Sequence, residues 1–458
     1  MVDSEKTSKK ILLLVPDGTG IKNYLYSKVF QDCDSLLLFH NFDDDTLAQI
    51  QKNIRLKETI EIPKYKESVR EKFYRELIHT VRIRHYAKKA ENPTILKFRK
   101  RKHKGWKLKL FYAGVGFASR LVFKYDQILQ LEAKYDASIK RNPFYEQVKA
   151  ILEKHDIDTV FCTHQRALKA PTVFAAARDL GIKATTVIYS WDNLPKARLA
   201  LRADNYLVWS KHMQEELHFF YPEIPLDRIL VTGTPQFEFY LERSNVLARE
   251  AFYAKHGLDP NKRILCFSGD DVATSPHDPQ YLYDIAQALT EAGMEDELQI
   301  AFRRCPVDVS GRYDAVIKKF PELIIDIPPV WNFNSEIWTA VYPTYEDIKL
   351  LSSLAYYSDA VINVGSTMAF DFGMYDKPCI FINYDAVRDP EWTVDFIYKY
   401  QHFRSMPSPE SVRWLNDKSK IVSVIREALH NPKTEVRSWF DIVVNHPDTA
   451  SENILNAL

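Results

Sequence analysis

Short apolar runs recur along this chain, separated by amphipathic segments, and that rhythm narrows the fold more than any other feature. "KILLLVPD", "SLLLFHN", "DTVFCTH", "ATTVIYS", "NYLVWS" and "RILVTG" are too short for helices and too continuously apolar to lie half in water. They read as strands buried on both faces and joined by crossover helices, the pattern of a parallel sheet in an α/β domain. The alternation restarts with "RILCFSG", "LQIAFR", "LIIDIP", "DAVINVG" and "PCIFINYD". A chain of 458 residues, 46% hydrophobic and 27% charged, exceeds a single core, so two domains are expected. Their expected extents are 1–240 and 241–431, with 432–458 as a helical segment packing back across the domains. Two such sheets facing a cleft would line it with strand carboxyl ends, where open α/β sheets bind ligands.

The strand rhythm pauses over about residues 60–145, which read as a mostly helical insertion in the first domain. Arg82 to Lys109 holds twelve Lys/Arg against the single acid Glu91, a local +11 in a chain whose net charge is +1. Within "ILKFRKRKHKGWKLKLF", the residues Lys97, Phe98, Arg99, Lys100, Arg101, Lys102, Lys104, Trp106 and Lys107 interleave cations with aromatics. That mixture suits an anionic membrane surface, and a solvated helical face is the competing reading. No nucleic-acid recognition motif accompanies it, so nucleic acid is not an expected partner. The five cysteines are odd in number and form no CxxC pair, which fits a reducing compartment. The first apolar run breaks at Pro16, too early for a secretory signal or a span. The expected location is cytoplasmic, peripheral on the inner face of the cytoplasmic membrane.

The stretch "NVGSTMAFDFGMYDKPCIFINYD" carries the most chemistry. A strand delivers the chain into Gly365-Ser366-Thr367, and a helix follows until Lys377-Pro378 stops it. Ser366 or Thr367 is placed to cap that helix, whose free N–H groups suit a phosphate or diphosphate, while Gly365 lets a ligand approach the backbone. Asp371, one turn in, is placed to accept from ribose hydroxyls; a capped core helix with Asp371 at its rim is the alternative.

This stretch resembles the C-terminal motif of the CDP-glycerol glycerophosphotransferases, in which a Ser-Ser turn precedes a Phe-Asp-Phe helix and a Lys/Arg-Pro strand. That family is similar to the nucleotide-sugar transferases of GT-B fold, a group that includes UDP-N-acetylglucosamine 2-epimerases and many surface-polysaccharide glycosyltransferases. The resemblance implies two Rossmann-like domains, with Ser366, Thr367 and Asp371 holding a nucleotide diphosphate donor. "VTGTPQFEFY" resembles the family's Thr-Gly-x-Pro turn, and "AFRRCP" its Arg-x-His-Pro strand end, putting Arg303 in the arginine's place with Arg304 beside it. "SWDNLPK" resembles a Trp-His-Gly-x-Pro-x-Lys segment with one residue fewer. Here Cys305 and Asp192 stand where the family has histidines. A carboxylate base with arginines on the leaving diphosphate suits glycosyl transfer better than phosphoryl transfer.

Other stretches support roles less sharply. Asp17, Gly18, Thr19, Gly20 and Lys22 follow the first strand; Gly18, Thr19, Gly20 and Lys22 line the acceptor side if the loop does more than turn, and Asp17 is an alternative base. Ser268 and Gly269 end a strand of the second domain and are placed to contact donor phosphate, with helix capping as the rival role. His164 ends a first-domain strand as a cleft residue or a core histidine. "FDDD" at 42–45 reads as a helix cap, and no metal-ligand spacing appears. The reading is a metal-independent glycosyltransferase that needs no cofactor. It moves a sugar from a nucleotide-sugar donor to a hydroxyl of a glycan or lipid-linked acceptor in surface-polysaccharide synthesis. A CDP-alditol phosphotransferase and a UDP-sugar 2-epimerase are the alternatives.

Overall fold

In the computed structural model the described residues are 9–16, 18, 20–99, 105–199, 202–333, 341–433 and 435–458. The chain divides into two compact units, one reaching Pro235 and including Asn445–Leu458, the other spanning Gln236–Val444.

The first unit is built on strands β1 (Ile11–Val15), β2 (Leu36–His40), β3 (Glu58–Glu61), β4 (Thr159–Cys162), β5 (Lys183–Val187), β6 (Asn205–Val208) and β7 (Ile229–Val231). They form one parallel sheet in the order β3-β2-β1-β4-β5-β6-β7. Every residue of β1, β2 and β4 is buried, as uninterrupted apolar runs require when helices cover both faces. The second unit has β8 (Arg263–Ser268), β9 (Leu298–Arg303), β10 (Ile324–Asp326), the hairpin β11 (Trp331–Asn332) and β12 (Tyr342–Pro343), then β13 (Ala360–Asn363), β14 (Cys379–Ile382) and β15 (Arg413–Leu415). Apart from the hairpin, these make a second parallel sheet, ordered β10-β9-β8-β13-β14-β15. Each sheet thus starts in its interior, at β1 or β8, builds outward, and then returns to the other side of that first strand. Ligands favour the carboxyl ends at such reversal points.

Two helices of the first unit begin at side chains that satisfy their free N–H groups. In α1 (Asp44–Gln51) the Asp43 side chain accepts from Thr46 N–H at 2.8 Å, so the acidic "FDDD" does cap a helix. In α2 (Val69–Lys89) Ser68 and Glu71 form a reciprocal capping box. Between β3 and β4 lie α2, α3 (Trp106–Ser119), α4 (Tyr125–Ile139) and α5 (Pro143–Lys154), and α6 (Ala170–Asp179) follows β4.

The insertion is fastened to its own unit by ions as well as by apolar packing. Arg82 on α2 is 1% exposed and donates to Glu132 on α4 at 2.7 Å, to Glu223 at 3.0 Å, and to the hydroxyls of Tyr86 and Tyr125 at 3.0 Å each. Its guanidinium lies 4.3 Å from the Tyr221 ring centroid, and Arg202 bonds the same two glutamates. One of the twelve cations of the basic stretch is therefore interior and neutralised, so the surface charge is smaller than the sequence sum. Breaking a buried network of this kind costs about 3–5 kcal/mol.

His79 makes a second tie, its Nε2–H donating to the Lys196 carbonyl at 3.1 Å. Burial, and next the Arg198 charge, push its pKa down to about 3. The folded chain prefers neutral imidazole, so this contribution to stability is complete above the ordinary histidine value and is lost as pH falls below it. Denaturation measured at pH 7, 6 and 5 should show a loss of up to about 1.4 kcal/mol per unit below about pH 6.5. A His79→Gln variant, which keeps a donor but cannot titrate, should show a shallower pH dependence over that range; equal slopes would refute the assignment.

Candidate functional site

Four groups of the second unit meet where its sheet reverses between β8 and β13. Ser268 closes β8 opposite Arg303 at the end of β9, and Gly269 N–H donates to the Arg303 carbonyl at 2.9 Å. On the other side, Ile362 pairs with Phe267, carrying buried Asn363 to the same edge. Asn363 Oδ1 accepts from Ser366 N–H at 2.8 Å, folding Gly365-Ser366 into a turn before the helix Met368–Gly373. Ser268 Oγ donates to Met368 Sδ at 2.9 Å, tying that helix start back to β8.

Gly365 is required twice over. Its φ of +69° is left-handed, and a Cβ there would stand 2.9 Å from the Phe403 ring. Ser366 Oγ accepts from Met368 N–H at 3.4 Å, whereas Thr367, at the helix boundary, makes no capping bond with its side chain. Of the two expected caps, only Ser366 bonds a helical N–H.

Asp371 lies inward, 4% exposed, and accepts from the Tyr240 hydroxyl at 2.7 Å. It is not a carboxylate on the rim of the helix. Arg303 is also buried: its Nη2 donates to both oxygens of Asp347 at 3.0 and 2.9 Å, while its Nη1 is buried without a partner. Asp347 further accepts from Val330 N–H and Trp331 Nε1–H, both at 2.8 Å, so the arginine is held from behind with one N–H face unspent. Arg304 is drawn elsewhere, donating to Asp326 on β10 at 2.5 Å.

The loop after Gly269 is fastened by Arg312. That side chain donates to the carbonyls of Asp270 at 2.6 Å, Ser275 at 2.7 Å and Pro276 at 3.0 Å, and to the Asp308 carboxylate at 2.6 Å. Asp278 accepts from Asp270 N–H at 2.6 Å, and burial pushes its carboxyl up to about 6. Asp271 caps the turn by accepting from Ala273 N–H at 2.8 Å. Gly269 leaves no room for a side chain, since a Cβ would stand 2.6 Å from the Tyr313 hydroxyl.

In the first unit the sheet reverses between β1 and β4. Gly20 tucks against Thr163, whose Oγ1 would stand 2.4 Å from an added Cβ. Gly18 accepts from Ile21 N–H at 3.3 Å, and Lys22 lies in the helical turn that follows. Asp17 and Thr19 fall outside the described residues, as do Lys100, Arg101, Lys102 and Lys104. His164 packs its ring 5.3 Å from that of Tyr189, and its carbonyl accepts from Ala167 N–H. Asp192 pairs with Lys196 and accepts from Asn193 Nδ2 at 3.2 Å, while Arg166 donates to Asn193 Oδ1 at 2.8 Å. Burial pushes the Arg166 pKa down, and Asp192 is the charge that most opposes it. The helical turn after Asp192 covers only Leu194–Lys196, starts at Asn193 without a side-chain cap, and ends at Ala197 with φ +51°. Asp192 thus forms an ion pair with Lys196 of this turn.

Tyr240, Asp347, Arg312 and Arg166 were not singled out from the sequence. Tyr240 ends the stretch "VTGTPQFEFY", but its partner Asp371 lies 131 residues away; Asp347 and Arg166 likewise bond groups 44 and 27 residues distant, and Arg312 joins nearby Asp308 to Asp270, 42 residues off. Asn363 was legible in principle, as the last residue of the strand before Gly365.

Comparison with known proteins bears on the fold and on one stretch of sequence. No family model matches the chain. The chain is similar to the teichoic acid poly(ribitol-phosphate) polymerase of Bacillus spizizenii, 19% identical over 209 residues. That match covers 45% of this chain and 30% of the polymerase, so the chain spans well under half of that relative's length. Among solved structures, the S. aureus MnaA–UDP co-structure aligns with 98% of this chain and 95% of its own, at TM-score 0.52 and 11% identity. A UDP-N-acetylglucosamine 2-epimerase from Methanocaldococcus jannaschii aligns over 97% and 98%, at 0.53 and 11%. A putative UDP-N-acetylglucosamine 2-epimerase from Listeria monocytogenes gives 0.54 at 9% identity over 98% and 95%. The fold is thus the two-domain, Rossmann-like GT-B fold that the sequence predicted, and the polymerase match accords with the expected superfamily.

The Tyr240–Asp371 bond is measurable by itself. Tyr240→Phe removes the hydroxyl and leaves a buried carboxylate oxygen without that donor, which should lower the unfolding free energy by about 1–3 kcal/mol. Chemical denaturation checks this, and a loss within error of zero would show that Asp371 does not depend on Tyr240.

Proposed function

We propose that this protein is a glycosyltransferase of surface-polysaccharide synthesis, taking its sugar from a nucleotide diphosphate donor and passing it to a hydroxyl of a glycan or lipid-linked acceptor. One observation carries the donor half: at the reversal point of the second sheet, buried Arg303 keeps an unpartnered Nη1 beside strand ends that bring in Ser268, Gly269 and the Gly365-Ser366 turn. An unpaired guanidinium N–H in a buried setting is costly unless an anion completes it. We assign donor contact to Ser268, Gly269, Arg303, Gly365, Ser366 and Thr367, with Asp371 held by Tyr240 in the helix that follows the turn. Solved structures of this fold include one with UDP, which supports a nucleotide as the ligand.

For the chemical step, the reading gives Asp192 the proton of the acceptor hydroxyl as its oxygen bonds to the anomeric carbon. The bond from that carbon to the diphosphate breaks, and the nucleoside diphosphate leaves with its charge met by Arg303 and backbone N–H groups. Lys196 holds the carboxylate directly, and Arg166 positions Asn193, which donates to it. His164 and Asp17 are the alternative bases, and Gly18, Thr19, Gly20 and Lys22 the proposed acceptor side.

A second reading, alditol-phosphate transfer, is favoured by the polymerase match. Against it stands Cys305, where the resembled family has histidine; burial pushes its thiol up to about 12, so it is neutral and offers little acid–base chemistry near pH 7.

Thermal unfolding with UDP, GDP, CDP, TDP and CMP tests the donor half. A ligand at a hundred times its dissociation constant should add about 2.7 kcal/mol to stability, and Ser366→Ala should weaken its binding by roughly one to two decades. If no nucleotide raises the melting temperature, the reading fails. Incubation with nucleotide sugars and with CDP-glycerol then separates the two chemistries by which donor is consumed. In the active assay Asp192→Asn should bind donor normally and turn over at least about 100-fold more slowly; near-normal turnover would move the base to His164 or Asp17.

A further inference from the structure

α3 is apolar on both of its faces, and only one of them is covered. Its inner face places Phe111, Val115 and Ala118, followed by Val122, against Leu77 and Val81 of α2 and Ile128 of α4. Its outer face carries Trp106, Leu110, Ala113 and Phe117, with Leu121 just beyond the helix end. Their spacing of four, three, four and four residues is that of a single helical stripe. Trp106 is 70% exposed, Leu110 and Phe117 67% each, and Phe123 in the following turn 80%. Helices that are apolar all round are normally buried all round. Continuous exposed apolar surface of this kind marks an interaction site.

The charge around the stripe says what covers it. Lys107 and Lys109 flank its first turn on either side, Arg120 lies beside its far end, and the Arg99 guanidinium reaches α3 beside Gly116. From Asn92 to Tyr125 the sequence contains no acid. A second copy of this chain would bring the same cations against these, which disfavours self-association through this face. A surface with an apolar interior and an anionic skin satisfies both features. Among the described residues no helix is long and apolar enough to cross a membrane, so the helix would lie in the surface rather than span it.

We propose that α3 docks the protein on anionic lipid bilayers, its Trp106–Leu110–Phe117–Leu121 stripe and Phe123 entering the headgroup–acyl boundary while the flanking cations meet lipid phosphates. This differs from the arrangement the sequence suggested. Phe98 is only half-exposed, and Phe111 packs inward against Phe73, so neither belongs to the docking face. The proposal is independent of the donor reading.

Co-sedimentation of the full chain with vesicles of phosphatidylcholine alone, and of phosphatidylcholine with phosphatidylglycerol, tests it. The protein should partition onto the anionic vesicles, weakly onto the neutral ones, and Trp106 emission, taken as the difference from Trp106→Phe, should shift to the blue on binding. The triple variant Trp106→Gln, Leu110→Gln, Phe117→Gln changes only exposed positions to a good helix former. It should stay folded by circular dichroism and lose at least about tenfold in partition, with any nucleotide-induced thermal shift unchanged. Lys107→Glu with Lys109→Glu should erode the preference for anionic vesicles. Unchanged partition of the triple variant would overturn the proposal. So would a concentration-dependent dimer in sedimentation velocity that the triple variant abolishes while the native chain ignores vesicles, because the stripe would then face another copy.

Discussion

A parallel strand buried on both faces reaches polar surroundings only at its ends, and that constraint organises both units of this protein. The apolar interiors of β1, β2, β4, β9 and β13 are buried and leave polar chemistry to the strand ends. Functional groups therefore collect where strands stop. The topology decides which stops matter: strand order reverses at β1 and at β8, the kind of point at which open α/β sheets bind ligands. Ser268, Arg303 and Asn363 are the last residues of neighbouring strands, and their convergence follows from register alone.

Around these strand ends the fold spends charge on rigidity. Arg303 is gripped by Asp347, Arg312 ties three carbonyls and a carboxylate, and Asp192 is locked to Lys196. Buried pairs of this sort add little net stability compared with apolar packing, but removing one partner is expensive. Their effect is to fix geometry, because a side chain held by two or three directed bonds has one orientation available. The Arg82 network does the same for the insertion, fixing α2 and α4 to the segments that carry Arg202 and Glu223.

Fixing α2 and α4 also explains how α3 can leave an apolar face in solvent. Its inner face joins a small cluster with Leu77, Val81 and Ile128, enough to hold the helix in place without covering it. The clamp supplies the anchoring that burial of the outer stripe would otherwise provide. That stripe is then available for a partner.

The sequence by itself determined the parallel sheets, their crossover helices, the Gly365 turn and the basic stretch, since each depends on the order of neighbouring residues: periodicity, turn chemistry or local charge. The resemblance carried by "GSTMAFDFGMYDKP" implied a fold that the structure has. Only the tertiary structure decided that Asp371 faces Tyr240, that Arg82 is interior, that Arg303 and Arg304 part company, and that Phe111 turns in while Phe117 turns out. These outcomes join residues tens to more than a hundred positions apart. A polar side chain's role is set by which partner the fold brings within about 3 Å, and no local pattern in the chain encodes that distance.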